Sequence, residues 1–252
     1  MSFLTVENLS LRFGGVFAIR DLDFTVERGE IFAIIGPNGA GKTSVLNVMS
    51  GIYPPSAGRV MFKDAELSRL PRHLPARRGV ARTFQNIELF ESESVLHNIL
   101  LGRHRFPHGS LLGQIVRSPA VRRFEERSRV FAEDMIDLLD LAPYRNQPVS
   151  GLSYGVRKIV EIARALATEP ELLLLDEPAS GLNPEETRDL SFWIEDIRTD
   201  LGVTIVMVEH DMSLVSTCAD RVLCMNVGAR LALGRPAEVQ SHPDVVAAYL
   251  GH

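Results

Sequence analysis

The sequence predicts an α/β fold: a mainly parallel sheet clothed in helices, an antiparallel β subdomain at the N-terminus and an inserted helical subdomain. Three observations lead there. The first thirty residues alternate apolar and polar with period two. Three later stretches are continuous apolar runs, each feeding a turn. Between Glu88 and Ser150 the strand signal gives way to helical spacing. These changes place an α/β core at about 1–87 and 167–252 and a helical subdomain at about 88–166, within one domain spanning 1–252.

The elements follow in order. Leu9, Leu11 and Phe13 share one face and Leu22, Phe24 and Val26 another, the pattern of half-buried antiparallel strands. By that pattern Phe13 reads as a core aromatic of an edge strand. Ile31 to Ile35, Leu172 to Leu175 and Thr204 to Val208 are unbroken apolar runs, as expected of strands buried on both faces of a parallel sheet. In the insert, Val95 to Leu101, Leu111 to Val116 and Val121 to Leu141 read as helices. The last sets Val130, Met135, Ile136, Leu138 and Leu139 among Arg and Glu, and Pro143 and Pro148 close the region. Asn183, Pro184 and Glu186 supply the cap, first-turn proline and capping box of a helix that Gly202 ends. The run from Met225 to Leu231 reads as a hairpin, and Pro236 and Pro243 open two short terminal helices.

Composition narrows the function. The chain has 252 residues, enough for a sizeable core, and its 45% hydrophobic and 23% charged content is ordinary for a folded protein. A net charge of −5 offers no general attraction to nucleic acid. The most basic stretch, with Arg69, Arg72, Arg77, Arg78 and Arg82, has no interleaved aromatic residues for base stacking and reads as a solvated loop. Cys218 and Cys224 make neither a disulfide framework nor metal-ligand spacing, so they read as packed or free thiols in a reducing compartment. The apolar runs fall far short of the ~20 residues that cross a bilayer, and the first residues, MSFLTVEN, lack the features of a signal peptide. The expectation is a cytoplasmic chain that meets a membrane only through a partner.

Gly36-Pro37-Asn38-Gly39-Ala40-Gly41-Lys42-Thr43 fits G-x-x-x-x-G-K-[ST] between an apolar strand and an apolar-patterned helix, which makes the core that of a P-loop NTPase. Glycines let backbone N–H groups turn inward around phosphate oxygens, and the helix start adds partial positive charge. Lys42 supplies a point charge to the β- and γ-phosphates and Thr43 a hydroxyl for Mg²⁺, with Ser44 next in the loop. The run from Leu172 to Leu175 ends in Asp176 and Glu177. Asp176 is placed to hold Mg²⁺, and Glu177 to orient or deprotonate a water. His210 follows another buried strand, and Gln85 stands in RTFQN; neither is distinctive alone. Leu152-Ser153-Tyr154-Gly155 opens a helix that runs to Leu166, and two readings stay open there. Ser153 is a helix cap, or its hydroxyl and the neighbouring N–H groups form a second phosphate-binding helix end.

Taken in order, Phe13, the phosphate loop, Gln85, Leu152 to Gly155, Asp176-Glu177 and His210 resemble the ATP-binding subunits of ABC transporters, over essentially the whole chain. The resemblance implies ATP and Mg²⁺ as ligands. Phe13 stacks on adenine; Gly36 to Ser44, Gln85, Asp176 and His210 surround the phosphates; Thr43, Asp176 and Gln85 serve the metal; and Lys42, Glu177 and His210 are catalytic. It also implies that Ser153, Tyr154 and Gly155 face a γ-phosphate held by the opposite subunit of an ATP-sandwiched dimer. Ser180 to Asn183 occupies the loop that crosses to that subunit, with Asn183 where many relatives have Asp. Val156 departs from the pattern, because the common motif has Gln there, and the expected consequence is reduced stimulation without loss of activity.

The segments RFGGVFAIRDLDF, VARTFQNIELF, LSYGVRKIVEIARAL, PASGLNPEET, EHDMSLV and HPDVVAAYLG resemble the larger ATPase of branched-chain amino-acid uptake systems. That branch implies a second ATP-binding subunit (a different chain or a second copy), two integral-membrane permease subunits and an extracytoplasmic solute-binding protein, with this chain at the cytoplasmic face of the inner membrane. Relatives in the same group import urea, short amides or aromatic acids, and a neighbouring group exports lipopolysaccharide. An ABC-type ATPase acting on ribosomes or DNA would carry two nucleotide domains or a long coiled-coil insert. A phosphate-loop kinase would need an arginine lid and would leave the Ser153 motif unexplained. A non-catalytic scaffold would have no use for Glu177 and His210.

Overall fold

The computed structural model describes residues 2–71, 73–106 and 118–250, so the helix expected at Leu111 to Val116 lies outside the described residues. The chain forms two compact units, one of residues 1–85 and 171–252 and one of residues 86–170. The first unit begins with β1 (Leu4–Phe13), β2 (Val16–Val26), β3 (Ile31–Ile35), α1 (Lys42–Met49), β4 (Ala57–Phe62), β5 (Ala65–Glu66), α2 (Leu74–Arg77) and β6 (Val80–Arg82). The second holds α3 (Val95–Gly102), α4 (Pro119–Leu138) and α5 (Tyr154–Leu166). The chain returns to the first unit with β7 (Leu172–Asp176), α6 (Pro184–Leu201), β8 (Thr204–Val208), α7 (Met212–Cys218), β9 (Arg221–Asn226), β10 (Ala229–Gly234), α8 (Pro236–Gln240) and α9 (Pro243–Leu250).

The first unit contains two sheets. An antiparallel sheet runs β2-β1-β4-β5, and a six-stranded sheet runs β10-β9-β3-β8-β7-β6, parallel except for the β9–β10 hairpin. Every residue of β3, β7 and β8 is buried, which is why these strands read as unbroken apolar runs. Each fully buried leucine of β7 contributes on the order of 1.5–3 kcal/mol of transfer free energy. A shared core joins the sheets, with Phe24 stacked on Phe32 at 5.2 Å between ring centres. The strands β4, β5 and β6 had no clear sequence signal; β5 and β6 span two and three residues, and β6 is held by pairing Val80, Ala81 and Arg82 with Leu172, Leu173 and Leu174.

Three expectations are corrected. Phe13 is not a core aromatic: it is 49% exposed. The β1–β2 ladder shifts register between Val6 and Arg12, so Leu9, Ser10 and Leu11 are buried in succession and Arg12 and Phe13 turn outward. Arg82 does not belong to a solvated loop, since it ends β6 with its side chain buried. Val130 lies outside the buried stripe of α4, which runs through Val121, Ser128, Ala132, Met135 and Ile136.

In the second unit α3 packs on α4 and α5. Arg103, buried at the end of α3, donates to Ala167 O at 3.0 Å and pairs with Glu169 at 2.5 Å. In the first unit the capping box at α6 forms as expected. Asn183 accepts from the N–H groups of Glu185 and Glu186, Glu186 accepts from Asn183 N, and Gly202 ends the helix at φ 65°.

Candidate active site

The phosphate loop is shaped by backbone crowding. A Cβ on Gly36 (φ 147°) would lie 2.2 Å from Met225 O, and one on Gly41 (φ 97°) would lie 2.1 Å from Ala18 O. Both positions therefore require glycine, for conformation and for space. Gly41 caps α1 without any side chain, so no side chain of the cap competes for the first N–H groups of that helix. Lys42 is buried, and its Nζ donates to Gly36 O at 2.7 Å and to Pro37 O at 3.2 Å. Burial lowers the pKa of its ammonium, and the negative charges of Glu177 and then Asp176 oppose that shift.

Asp176, at the end of β7, is almost fully buried, and Thr43 donates to its Oδ1 across 3.5 Å. The other oxygen, Oδ2, accepts from Arg82 Nη2 at 2.8 Å, and Arg82 also donates to Asn47 Oδ1 at 2.8 Å and Ser50 Oγ at 2.9 Å. A buried ion pair of this kind costs about 3–5 kcal/mol when one partner alone is removed. Arg82 was invisible as a site residue because only the β6–β7 register carries it to Asp176. Thr43 and Asp176 present adjacent hard oxygens. So small a protein donor set fits Mg²⁺, which retains water and takes phosphate oxygens.

Glu177 adopts a left-handed backbone conformation (φ 50°) and donates its N–H to Val208 O at 2.9 Å. That rarely populated conformation aims its side chain away from the β7 register. Its carboxylate accepts from Gln85 Nε2 at 3.4 Å and lies 3.8 Å from His210 Nδ1. Gly36, Pro37, Asn38, Gln85, Glu177 and His210 line one cavity of about 830 Å³ together with Tyr249. Tyr249, on α9, was not foreseen; although the residue is 37% exposed, partial desolvation of its phenol pushes the pKa up to about 12, against the Gly36 backbone. A lone tyrosine in a short amphipathic tail gives no sequence signal for it.

The remaining candidates lie elsewhere. Phe13 packs edge-to-face on Tyr53 at 5.3 Å, and Tyr53 donates its N–H to Asn47 O of α1 at 3.2 Å, so the ring stands near the C-terminal end of the helix that the phosphate loop opens. Ser153, Tyr154 and Gly155 belong to the other unit. There Ser153 caps α5 by accepting from Val156 N at 3.3 Å, Gly155 is buried and Tyr154 is 45% exposed. The helix-cap reading of Ser153 is thus realised in the single chain. Glu209, which precedes His210, is fully buried and was also missed; burial raises its pKa, against the backbone N–H groups that it accepts.

Comparison with known proteins places this geometry. The ABC transporter family model matches residues 19–180, and a model for branched-chain amino acid ATP-binding cassette transporters matches residues 229–252. The chain is 41% identical over 248 residues to the high-affinity branched-chain amino acid transport ATP-binding protein BraF of Pseudomonas aeruginosa, covering 98% of this chain and 97% of that protein. It is 40% identical to the corresponding LivG protein of Escherichia coli, with the same coverage. Among solved structures, a nucleotide-free ATP-binding cassette from an ABC transporter superposes over 100% of both chains with a TM-score of 0.87 at 30% identity. The ADP conformation of an ATP-binding cassette of an ABC transporter gives the same coverage, score and identity.

Proposed function

Since this chain belongs to the ABC transporter family, we propose that it is the ATP-hydrolysing subunit of an importer that takes up a small polar solute, most plainly branched-chain amino acids. The observation that carries the ATPase reading is the convergence of the phosphate loop, Gln85, Glu177 and His210 on one cavity. The cargo rests on the likeness to BraF and LivG and on the match of residues 229–252. A second ATP-binding subunit, two permease subunits and an extracytoplasmic binding protein complete the assembly. Among the described residues no helix is long and apolar enough to cross a membrane, so attachment to the cytoplasmic face would run through the permeases.

The family resemblance, together with the geometry of the cavity, supports the following roles. The N–H groups from Gly39 to Ser44 wrap the β- and γ-phosphates, and Lys42 turns its ammonium from the loop carbonyls to phosphate oxygens. Phe13 offers its exposed ring to adenine. Thr43, Asp176 and Gln85 would hold Mg²⁺, which supplies charge neutralisation at the phosphates when bound. Glu177 accepts a proton from the attacking water, and His210, beside it, orients that water and the γ-phosphate. Ser153 and Gly155 of one subunit would complete the γ-phosphate site of the other, so nucleotide closes the dimer and hydrolysis reopens it.

The test is Glu177→Gln. It should retain ATP and Mg²⁺ and accumulate as an ATP-bound dimer in size-exclusion chromatography with light scattering, with turnover lowered about 10²- to 10⁴-fold. A variant that binds ATP with Mg²⁺ yet stays monomeric would contradict the sandwich.

A further inference from the structure

Glu209 has no role in the reading above. Its side chain is fully exposure-free at the end of β8, and its two oxygens accept three backbone N–H groups from two different turns. Oε1 accepts from Ala179 N at 2.7 Å, and Oε2 accepts from His210 N at 2.9 Å and Asp211 N at 3.1 Å. Its own N–H donates to Ile34 O at 3.1 Å, which anchors the residue to the strand leading into the phosphate loop. The carboxylate therefore reaches from the turn that carries His210 to the turn after Glu177, which continues into Ser180 to Asn183. The strand ends just before these turns are linked by the bond from Glu177 N to Val208 O.

A buried carboxylate is costly unless its oxygens are met by donors, and here three N–H groups meet them. An acceptor-only group suits that arrangement: glutamine would set an amide N–H against at least one backbone N–H, and aspartate is one methylene too short to reach both turns. The negative charge also adds to those of Glu177 and Asp176 around Lys42.

We propose that Glu209 is a positioning residue that couples the two turns, holding the backbone at His210 and the loop that crosses to the partner subunit in register. The inference rests on the ATPase reading. Movement of the crossing loop on dimer closure is then transmitted to His210 through one carboxylate, and the histidine reaches its working position only when that loop is in place.

The experiment compares the full-length chain with Glu209→Gln, His210→Ala and the double variant, using steady-state ATPase assays and binding of a fluorescent ATP analogue. Glu209→Gln should lower kcat about 10- to 100-fold, the scale of a small misplacement of a reacting group, while analogue affinity stays within about two-fold of wild type. The double variant should be no slower than His210→Ala by more than about two-fold, because the two residues act as one unit. Additive losses, unchanged kcat, or equal losses in affinity and kcat would overturn the coupling. Should the variants not fold, amide exchange on the wild-type chain decides: the N–H groups of Ala179, His210 and Asp211 should open together, and protection differing by more than about ten-fold among them overturns the proposal. A wild-type chain that hydrolyses ATP no faster than Glu177→Gln defeats the ATPase reading itself, whereas active wild type with silent Glu209→Gln defeats only the coupling.

Discussion

The helices α1 and α5 begin in opposite ways. The start of α1 has Gly41 in a left-handed conformation, no side-chain cap, and a buried lysine folded over the loop. The start of α5 has Ser153 in an extended conformation with its hydroxyl accepting from Val156 N. The first leaves its N–H groups to be satisfied by an anion. The second already satisfies one of them, so any phosphate it meets must compete with a cap. The difference teaches that one turn leaves its first donors open while the other already spends one of them on its own serine, so the proposed sandwich asks the α5 start, unlike the α1 start, to trade a cap for a phosphate.

The contrast can be broken at its strongest point by Lys42→Ala. Loss of a buried charge-assisted donor should reduce kcat by about 10²- to 10³-fold with a clear loss of ATP affinity by calorimetry. A variant that keeps both would show that the backbone cradle suffices. The α5 start is sharpened by a pair of variants. Ser153→Ala removes the cap and should cost about 1 kcal/mol in urea unfolding. Ser153→Asp keeps a capping acceptor but sets a negative charge toward the phosphate. It should match wild type in stability and fail to form the ATP-bound dimer in the Glu177→Gln background; if it dimerises normally, Ser153 is a cap and nothing more. The smallest effect belongs to Val156→Gln. Restoring a polar side chain at half-buried Val156 should raise turnover roughly two- to ten-fold, the worth of one hydrogen bond, with no change in melting temperature. Unchanged turnover would remove Val156 from any account of the rate.

Much was legible from local pattern. The buried strands β3, β7 and β8 announced themselves because both of their faces are apolar, and the helix from Pro184 because its cap, capping box and terminal glycine are all encoded within its own segment. The phosphate loop was legible because its chemistry is a property of one contiguous stretch. Less was legible where a single residue's meaning depends on a distant partner. Phe13 followed its strand's alternation on paper, yet bulges in the ladder turned it outward. Arg82 sat in a basic run that looked solvated, yet strand pairing buried it against Asp176.

Most of the elements, their order and the phosphate loop follow from periodicity, capping and spacing, because those signals act over a few residues and need no knowledge of what lies across the core. Which carboxylate meets Arg82, which turns Glu209 ties together, and that Tyr249 joins Gln85 and His210 around one cavity were settled only by tertiary structure. Arg82 meets Asp176, and Ala179 meets Glu209, because of the register of parallel strands whose largely apolar side chains carry no local mark of which neighbour they will find.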